Sequence, residues 1–163
     1  MTKPIEMKEK FWSSLDDSPF VMLGLSGVDE THMRPMAAKF DDDFPNTLHF
    51  FTSRDNHLVA SLAQSHRGNV SFASKGHDLF ASVHGTLSIE LDKVIVDKFW
   101  SPMISAWYDE GKDDPSLVVL KFAMDRAEIW RSTTGDKLTY MVTALLKGDA
   151  SDAAAENVAQ VRF

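Results

Sequence analysis

The stretch from Leu79 to Leu91 constrains the fold more than any other part of the chain. Apolar residues occupy almost every second position in it, and polar or aromatic residues occupy the positions between them. Because successive side chains of a β-strand point to opposite faces of the sheet, this alternation predicts a long strand with one buried face. Gly85 falls in the apolar row, and a glycine there predicts a β-bulge or a tight barrel corner.

The other apolar segments are shorter and have no regular βαβ order. Further strands are predicted at Phe20–Leu25, His32–Phe40, Leu48–Thr52, Val70–Ala73, Leu117–Met124 and Ala127–Arg131. Short helices are predicted at Ile5–Leu15, from Asp55 or Asn56 to about Gly68, at Lys93–Trp107, and around Leu138, Met141, Val142 and Leu145. We therefore predict a mainly β (α+β) fold, a barrel of about six antiparallel strands, closed or partly open, with short peripheral helices.

The length of 163 residues fits one domain, which we expect at residues 1–147. Residues 148–163 are polar and rich in alanine, and we expect them to form a frayed tail. The chain has no cysteine, which excludes disulfides, thiolate metal sites and cysteine nucleophiles.

The net charge of −7 bears on possible partners. A general nucleic-acid binder needs a basic surface, and an acidic chain is also disfavoured at anionic lipid. The N-terminal residues are charged and lack the apolar core of a signal peptide, and no apolar run is long enough to span a membrane. We expect a cytoplasmic protein with neither nucleic acid nor membrane as a partner.

No strong catalytic motif is present. The six histidines show no ligand spacing on one helix, and the acidic run Asp41–Asp43 lies in a turn without flanking ligands. We therefore predict no metal site and read Asp41–Asp43 as a solvated turn. No side chain is identified as a catalytic acid, base or nucleophile.

One local arrangement carries more chemical information. The strand Leu48–Ser53 runs through a turn into a helix that opens at Asn56 and His57. A strand followed by a helix N-terminus gathers free amide groups, which suits a phosphate group. On physical grounds alone, an ordinary helix cap with turn residues explains the same residues better.

Four strings resemble the pyridoxamine-phosphate-oxidase-like FMN-binding split barrels, and in particular their general stress protein group. They are HMRPM, LHFFTSRDNHL, FWSPMISAWYDEGKDDPSLVVLKF and AEIW. The resemblance covers roughly residues 5–147. It implies a split barrel and a homodimer with one FMN in each of the two grooves between the subunits.

The resemblance also implies a set of cofactor-binding positions. Arg34, Pro35 and Met36 would lie beside the isoalloxazine, and Phe51 and Thr52 would line the ring. The implied phosphate ligands are Ser53, Asn56 and His57, with Leu58 at the neighbouring position; the implied contributions of the second subunit are Trp107, Lys112 and Trp130. Of the other tryptophans, we expect Trp12 and Trp100 in the core.

Leu58 departs from the pattern of the group. Many relatives have a lysine there that pairs with the phosphate, so the resemblance implies a site short of positive charge. A lysine at position 58 is then expected to tighten FMN binding.

The resemblance implies a flavoprotein whose function takes one of three forms. The first is an FMN-dependent, NAD(P)H-linked oxidoreductase of a small substrate. The second is a binding protein that stores FMN or senses stress without turnover, and the third is a pyridoxamine phosphate oxidase-type activity. The same fold leaves deazaflavin and haem open as cofactors.

Overall fold

The computed structural model describes residues 3–28, 32–132, 146 and 158–163. Seven strands form one antiparallel sheet: β1 (Phe20–Leu25), β2 (Arg34–Ala37), β3 (Thr47–Ser53), β4 (Ser65–Ala73), β5 (Leu79–Glu90), β6 (Leu117–Arg131) and β7 (Val158–Arg162). The strands follow the order β2-β1-β4-β5-β6-β3, and β7 also pairs with β6. The predicted mainly β architecture is confirmed, with seven strands instead of about six.

The long alternating strand is β5, and its predicted irregularity at Gly85 is confirmed. The register between β5 and β6 shifts between His84 and Gly85, so Asp125 of β6 has no direct partner on β5. A Cβ on Gly85 would collide with the backbone oxygen of Ala123. Only glycine permits this close approach of the two strands.

The bulge also explains one incorrect prediction. Leu117–Met124 and Ala127–Arg131 are one continuous strand, β6, instead of two. The polar residues Asp125 and Arg126 lie between the two predicted segments, and the bulge absorbs the extra residue without ending the strand. Asp125 then forms an ion pair with Arg67 of β4 at 2.6 Å.

The sheet curves into a barrel around one apolar core. An isolated bridge between Lys39 and His49 joins the segment after β2 to β3 and closes the path. Helix α1 (Lys3–Asp17) buries Met7, Phe11 and Leu15 against this core. Among the described residues, no helix is long and apolar enough to cross a membrane.

Two predicted helices end earlier than the sequence indicated. Helix α2 (His57–Leu62) ends at Leu62, because Ala63 takes a positive φ of 54° and Ser65 already pairs with β5. The predicted helix over Lys93–Trp107 is two helices, α3 (Lys93–Phe99) and α4 (Pro102–Ser105). Pro102 explains the break, since the residue before a proline is forced into an extended conformation.

The chain terminus differs from the prediction of a frayed tail. Residues 158–162 form β7, which extends the sheet beside β6, so the prediction is wrong for this part. Val161 and Ala159 are buried, and their alternation with exposed residues is that of a strand. The predicted helix around Leu138–Leu145 lies outside the described residues.

Candidate functional site

A half-open cleft of about 340 Å³ lies on the outer side of β3, between the end of β2 and the segment after α4. Its wall is mainly apolar and aromatic, with few polar groups. The lining residues are Ala37, Lys39, Phe51, Thr52, Ser53, Met103, Ile104, Trp107, Tyr108 and Ser116. Concave, mostly apolar walls with a few polar groups are typical of small-molecule sites.

Strand β3 positions the floor of the cleft by simple alternation. Leu48 and Phe50 point inward and are completely buried in the barrel core. Phe51 and Ser53 therefore point outward, into the cleft. Because β3 pairs with β6 along its whole length, these side chains rest on a rigid strand.

Hydrogen bonds fix the turn at the end of this strand. The Tyr108 hydroxyl donates to the Thr52 carbonyl oxygen at 2.8 Å. The Asn56 side-chain amide donates to the Thr52 hydroxyl at 3.0 Å, and its oxygen accepts from the Leu58 amide at 2.9 Å. The Leu58 amide is thus already satisfied by the cap, and α2 has only six residues. The helix terminus therefore offers less to a phosphate than the sequence indicated.

Aromatic side chains form the back of the cleft. The ring of Trp100 lies 6.4 Å from that of Phe51 and 6.2 Å from that of Tyr108, centroid to centroid. Trp100 therefore packs behind the cleft instead of in the barrel core, whereas Trp12 packs on the core as predicted. Burial, helped by Asp114, raises the pKa of Tyr108, so its hydroxyl stays a hydrogen-bond donor at neutral pH.

Lys39 is a residue of the cleft lining that the sequence did not single out. It is the one charged side chain among the described residues that line the cleft. The pattern of residues 32–40 predicted a strand but gave no sign that its last residues reach the outer side of β3. The bridge between Lys39 and His49 brings Lys39 to the outer side of β3, and such a contact between separate segments leaves no local signal in the sequence.

The structure brings together only some of the predicted site residues. Phe51, Thr52, Ser53 and Trp107 all line the cleft, with Trp107 coming from the same chain. The segment Arg34–Met36 lies in β2 just before the cleft residue Ala37, with Met36 packed on the core. Asn56 is joined to Ser53 through its backbone amide, and the exposed His57 follows it.

Leu58 requires a correction. Its side chain is 1% exposed and belongs to the barrel core together with Val59 and Leu62. The position lies in the first turn of α2, on the face that packs inward. The side chain of Leu58 thus points into the core and away from the turn, and this burial argues against the expected benefit of a lysine there.

Two predicted residues lie away from the cleft of their own chain. Lys112 forms an ion pair with Asp97 at 2.9 Å, in a separate surface depression. Trp130 lies at the far end of β6, opposite Phe80 of β5, whereas the cleft lies near the start of β6. Both were expected to act from a second subunit, and that role stays a prediction.

A buried histidine lies on the same face of β3 as Phe51. The His49 side chain is 1% exposed, and neither of its ring nitrogens has a hydrogen-bond partner among the described residues. Its Nε2 lies 3.5 Å from a carboxylate oxygen of Glu90, and the rings of Phe44 and Phe99 cover it. Burial lowers the pKa of His49 more than the neighbouring Glu90 raises it. The neutral ring is therefore the form that the fold favours.

The model of the family described as "Pyridoxamine 5'-phosphate oxidase like" matches residues 6–153. Protein bli-3 of Neurospora crassa is 31% identical in a match 94 positions long, and the match covers 53% of this chain. The match spans 45% of that relative's length.

Solved structures resemble the chain over most of its length. A general stress FMN/FAD binding protein from Xanthomonas citri is 46% identical, with a TM-score of 0.74, covering 80% of this chain and 92% of that one. A protein from Jannaschia sp. CCS1, assigned to general stress protein 26, is 29% identical with a TM-score of 0.76. That match covers 98% of this chain and 99% of the other.

Proposed function

Because the chain belongs to the pyridoxamine 5'-phosphate oxidase-like family, we propose that it binds FMN in the cleft above Phe51 and acts as a flavin-dependent oxidoreductase. The observation that carries the proposal is the cleft itself, an aromatic floor on a rigid strand with an exposed Trp107 at its rim. The similar protein from Xanthomonas citri is an FMN/FAD binding protein, which supports a flavin as the ligand.

The lining of the cleft fits a flavin in size and in chemistry. A volume of about 340 Å³ lies within the range of small-molecule sites and suits a flat aromatic ring system. Phe51 and Trp107 would hold the faces of the ring, while Thr52 and Ser53 would supply polar contacts. The phosphate would lie outside the apolar part, near Ser53 and the exposed side chains of Arg54 and His57.

Bound FMN would supply the redox chemistry by accepting a hydride from a reduced nicotinamide and passing electrons to a small acceptor. The residues of this chain bind and orient the ring and exclude water from one side of it. Tyr108 lines the cleft with an ionisable hydroxyl, but that hydroxyl already donates to the Thr52 carbonyl oxygen. It therefore positions the strand instead of transferring a proton.

Because the Tyr108 hydroxyl is already used in this hydrogen bond, the structure also favours a second candidate function, a protein that binds FMN without turnover. Among the described residues lining the cleft, no carboxylate or histidine stands ready as an acid or base. A storage or sensing protein needs only affinity. The two candidates differ in whether bound FMN reacts with NADH or NADPH faster than free FMN does.

We also infer a homodimer, formed through the outer face of β1 and its neighbours. Phe20 is 64% and Met22 39% exposed on this face, which is a large apolar exposure for a sheet surface. Phe80 and Trp130 are directly opposite each other on the same outer face of β5 and β6. A second copy of the chain packed there would cover these side chains and bring its Trp130 toward the partner's cleft.

Titration of the purified chain with FMN tests the binding proposal. We expect about one FMN per chain, seen as a shifted flavin spectrum and quenched flavin fluorescence that survive gel filtration. Recovery of haem or a deazaflavin, or no binding at high micromolar FMN, would contradict it. Anaerobic addition of NADH and NADPH then separates the enzyme, which bleaches quickly, from the binder, which stays oxidised.

Light scattering during gel filtration tests the dimer. The wild-type chain is expected at twice the mass of 18.2 kDa. Met22→Lys would place a charge in the proposed interface and should shift the protein toward monomer, whereas Leu91→Lys, at an exposed position outside this face, should not. A wild-type monomer that retains FMN would contradict the two-chain site.

A further inference from the structure

The side chain of Lys39 is unusual because a cation lines an otherwise neutral and mostly apolar cleft. Five of its neighbours in the lining are large and apolar or aromatic: Phe51, Met103, Ile104, Trp107 and Tyr108. The Lys39 backbone is held in place, since its amide donates to the His49 carbonyl at 2.8 Å and its carbonyl accepts from the His49 amide at 2.7 Å. The backbone of Lys39 is therefore a fixed part of the wall.

Two of the three carboxylates that follow Lys39 closely in the sequence, those of Asp41 and Asp43, are paired with another lysine. Asp41 and Asp43 lie 3.3 Å and 2.7 Å from the ammonium group of Lys98. The Glu90 carboxylate lies 3.5 Å from Nε2 of His49, whose ring packs against Phe99. Within the described part of the chain, Lys39 has no carboxylate within ion-pair distance, so no carboxylate of that part balances its positive charge.

A positive charge in a mostly apolar cleft interacts differently with the oxidised and the reduced state of a flavin. The ring of oxidised FMN is neutral. On taking up two electrons and one proton from a hydride donor, it becomes the anionic hydroquinone, which carries one negative charge. A nearby ammonium group stabilises this charge, and the apolar surroundings weaken the screening by water.

We propose that Lys39 sets the reduction potential of the bound flavin by favouring its anionic reduced state. This role rests on the proposed function, since it requires flavin in the cleft. Lys39 then raises the potential and makes the flavin easier to reduce by a reduced nicotinamide. It contributes much less to the affinity for oxidised FMN, whose ring has no charge to pair with it.

The test replaces Lys39 and measures the midpoint potential of the FMN-loaded protein by equilibration with a reference dye. Lys39→Gln is expected to weaken the binding of reduced over oxidised flavin about tenfold, which lowers the potential by about 30 mV for a two-electron couple. Lys39→Arg keeps the charge and should restore most of the potential. Lys75→Gln removes the same charge from the loop after β4 and should leave the potential unchanged.

Riboflavin distinguishes an effect on the ring from an effect on the phosphate. If Lys39 acts on the ring, Lys39→Gln lowers the potential of bound riboflavin as much as that of bound FMN. If wild type and Lys39→Gln have the same potential with FMN bound to both, the proposed role of Lys39 is overturned, while the proposed function is not. A loss of oxidised FMN affinity that riboflavin does not share also overturns it, and assigns Lys39 to the phosphate. Failure of the wild-type chain to bind any flavin overturns the proposed function as well.

Discussion

Two groups of aromatic side chains lie on opposite sides of the barrel wall, and they are packed in different ways. The closed cluster consists of Phe11, Trp12, Phe40, Phe72 and Phe163. Its ring centroids lie 5.3 Å apart from Phe11 to Trp12 and from Trp12 to Phe40, and 5.9 Å apart from Phe11 to Phe72. Phe11, at its centre, has no exposed surface.

The open cluster consists of Phe51, Trp100, Trp107 and Tyr108 around the cleft. Its ring centroids lie 6.2 Å apart from Trp100 to Tyr108 and 6.4 Å apart from Phe51 to Trp100, and Trp107 is 82% exposed. Aromatic residues are therefore used in two ways in this chain. In the closed cluster their burial stabilises the fold, and in the open cluster part of the apolar surface stays available to a ligand.

The largest expected effect concerns the centre of the closed cluster. Phe11→Ala removes a completely buried ring and should lower the free energy of unfolding by about 3–5 kcal/mol. Urea unfolding followed by tryptophan fluorescence measures this change. FMN affinity of the folded fraction should stay as in the wild type. A variant that keeps its stability but loses flavin would break the distinction between the clusters.

Leu58→Lys is expected to act like a change in the closed region, although residue 58 follows the cleft turn. The substitution buries an ammonium group in the core and should destabilise the protein by about 3 kcal/mol or more. Leu58→Met, which conserves volume, should cost less than about 1.5 kcal/mol. Thermal unfolding compares the two. If Leu58→Lys is stable and binds FMN more tightly than the wild type does, with no such gain for riboflavin, residue 58 belongs to the phosphate site.

The free energy of unfolding should depend on pH through His49, which is buried on the outer face of β3. Because burial lowers the pKa of His49 in the folded chain, the unfolded chain binds the proton more readily. The stabilisation is complete above the ordinary histidine pKa of about 6.5 and is lost as the pH falls from there through the lower folded value. The slope is at most about 1.4 kcal/mol per pH unit for one proton.

Urea unfolding between pH 7.5 and pH 4.5 measures this dependence. His49→Phe should flatten the curve, while His66→Gln, which changes a more exposed histidine, should leave it as in the wild type. An unchanged slope in His49→Phe would mean that the titrating group lies elsewhere. In that case, His49 of the wild-type chain binds a proton equally well in the folded and the unfolded state.

The smallest effect on stability is expected at the rim of the open cluster. Trp107→Ala removes a ring that is 82% exposed, so the free energy of unfolding should change by less than about 0.5 kcal/mol. Flavin affinity should fall by about 1 kcal/mol, or roughly fivefold, because one face of the ring loses its aromatic partner. Fluorescence titration measures this, with the equally exposed Leu91→Ala as the control. A marked loss of stability without a loss of affinity would place Trp107 in the packing of the fold.

The comparison also shows which features the sequence could predict. The alternation of Leu79–Leu91 and the glycine within it are local signals, so β5 and its bulge were predictable. The direction of Leu58 was not, because a residue in the first turn of a short helix can face either way until the packing of that helix is known. Lys39 and β7 depend on pairing with β3 and β6, and such long-range contacts leave no trace in local periodicity.

Strand β6 has a consequence for how the molecule is assembled. It pairs with β5 on one edge and with β3 and then β7 on the other, so three strands depend on its presence. During synthesis, some sixty further residues are added after β3 before its partner strand β6 begins at Leu117. Until then its apolar edge, from Leu48 to Phe51, is exposed to pairing with other chains. The floor of the cleft is thus one of the last parts to form, and a nascent chain interrupted before β6 has no site and a free edge that favours aggregation.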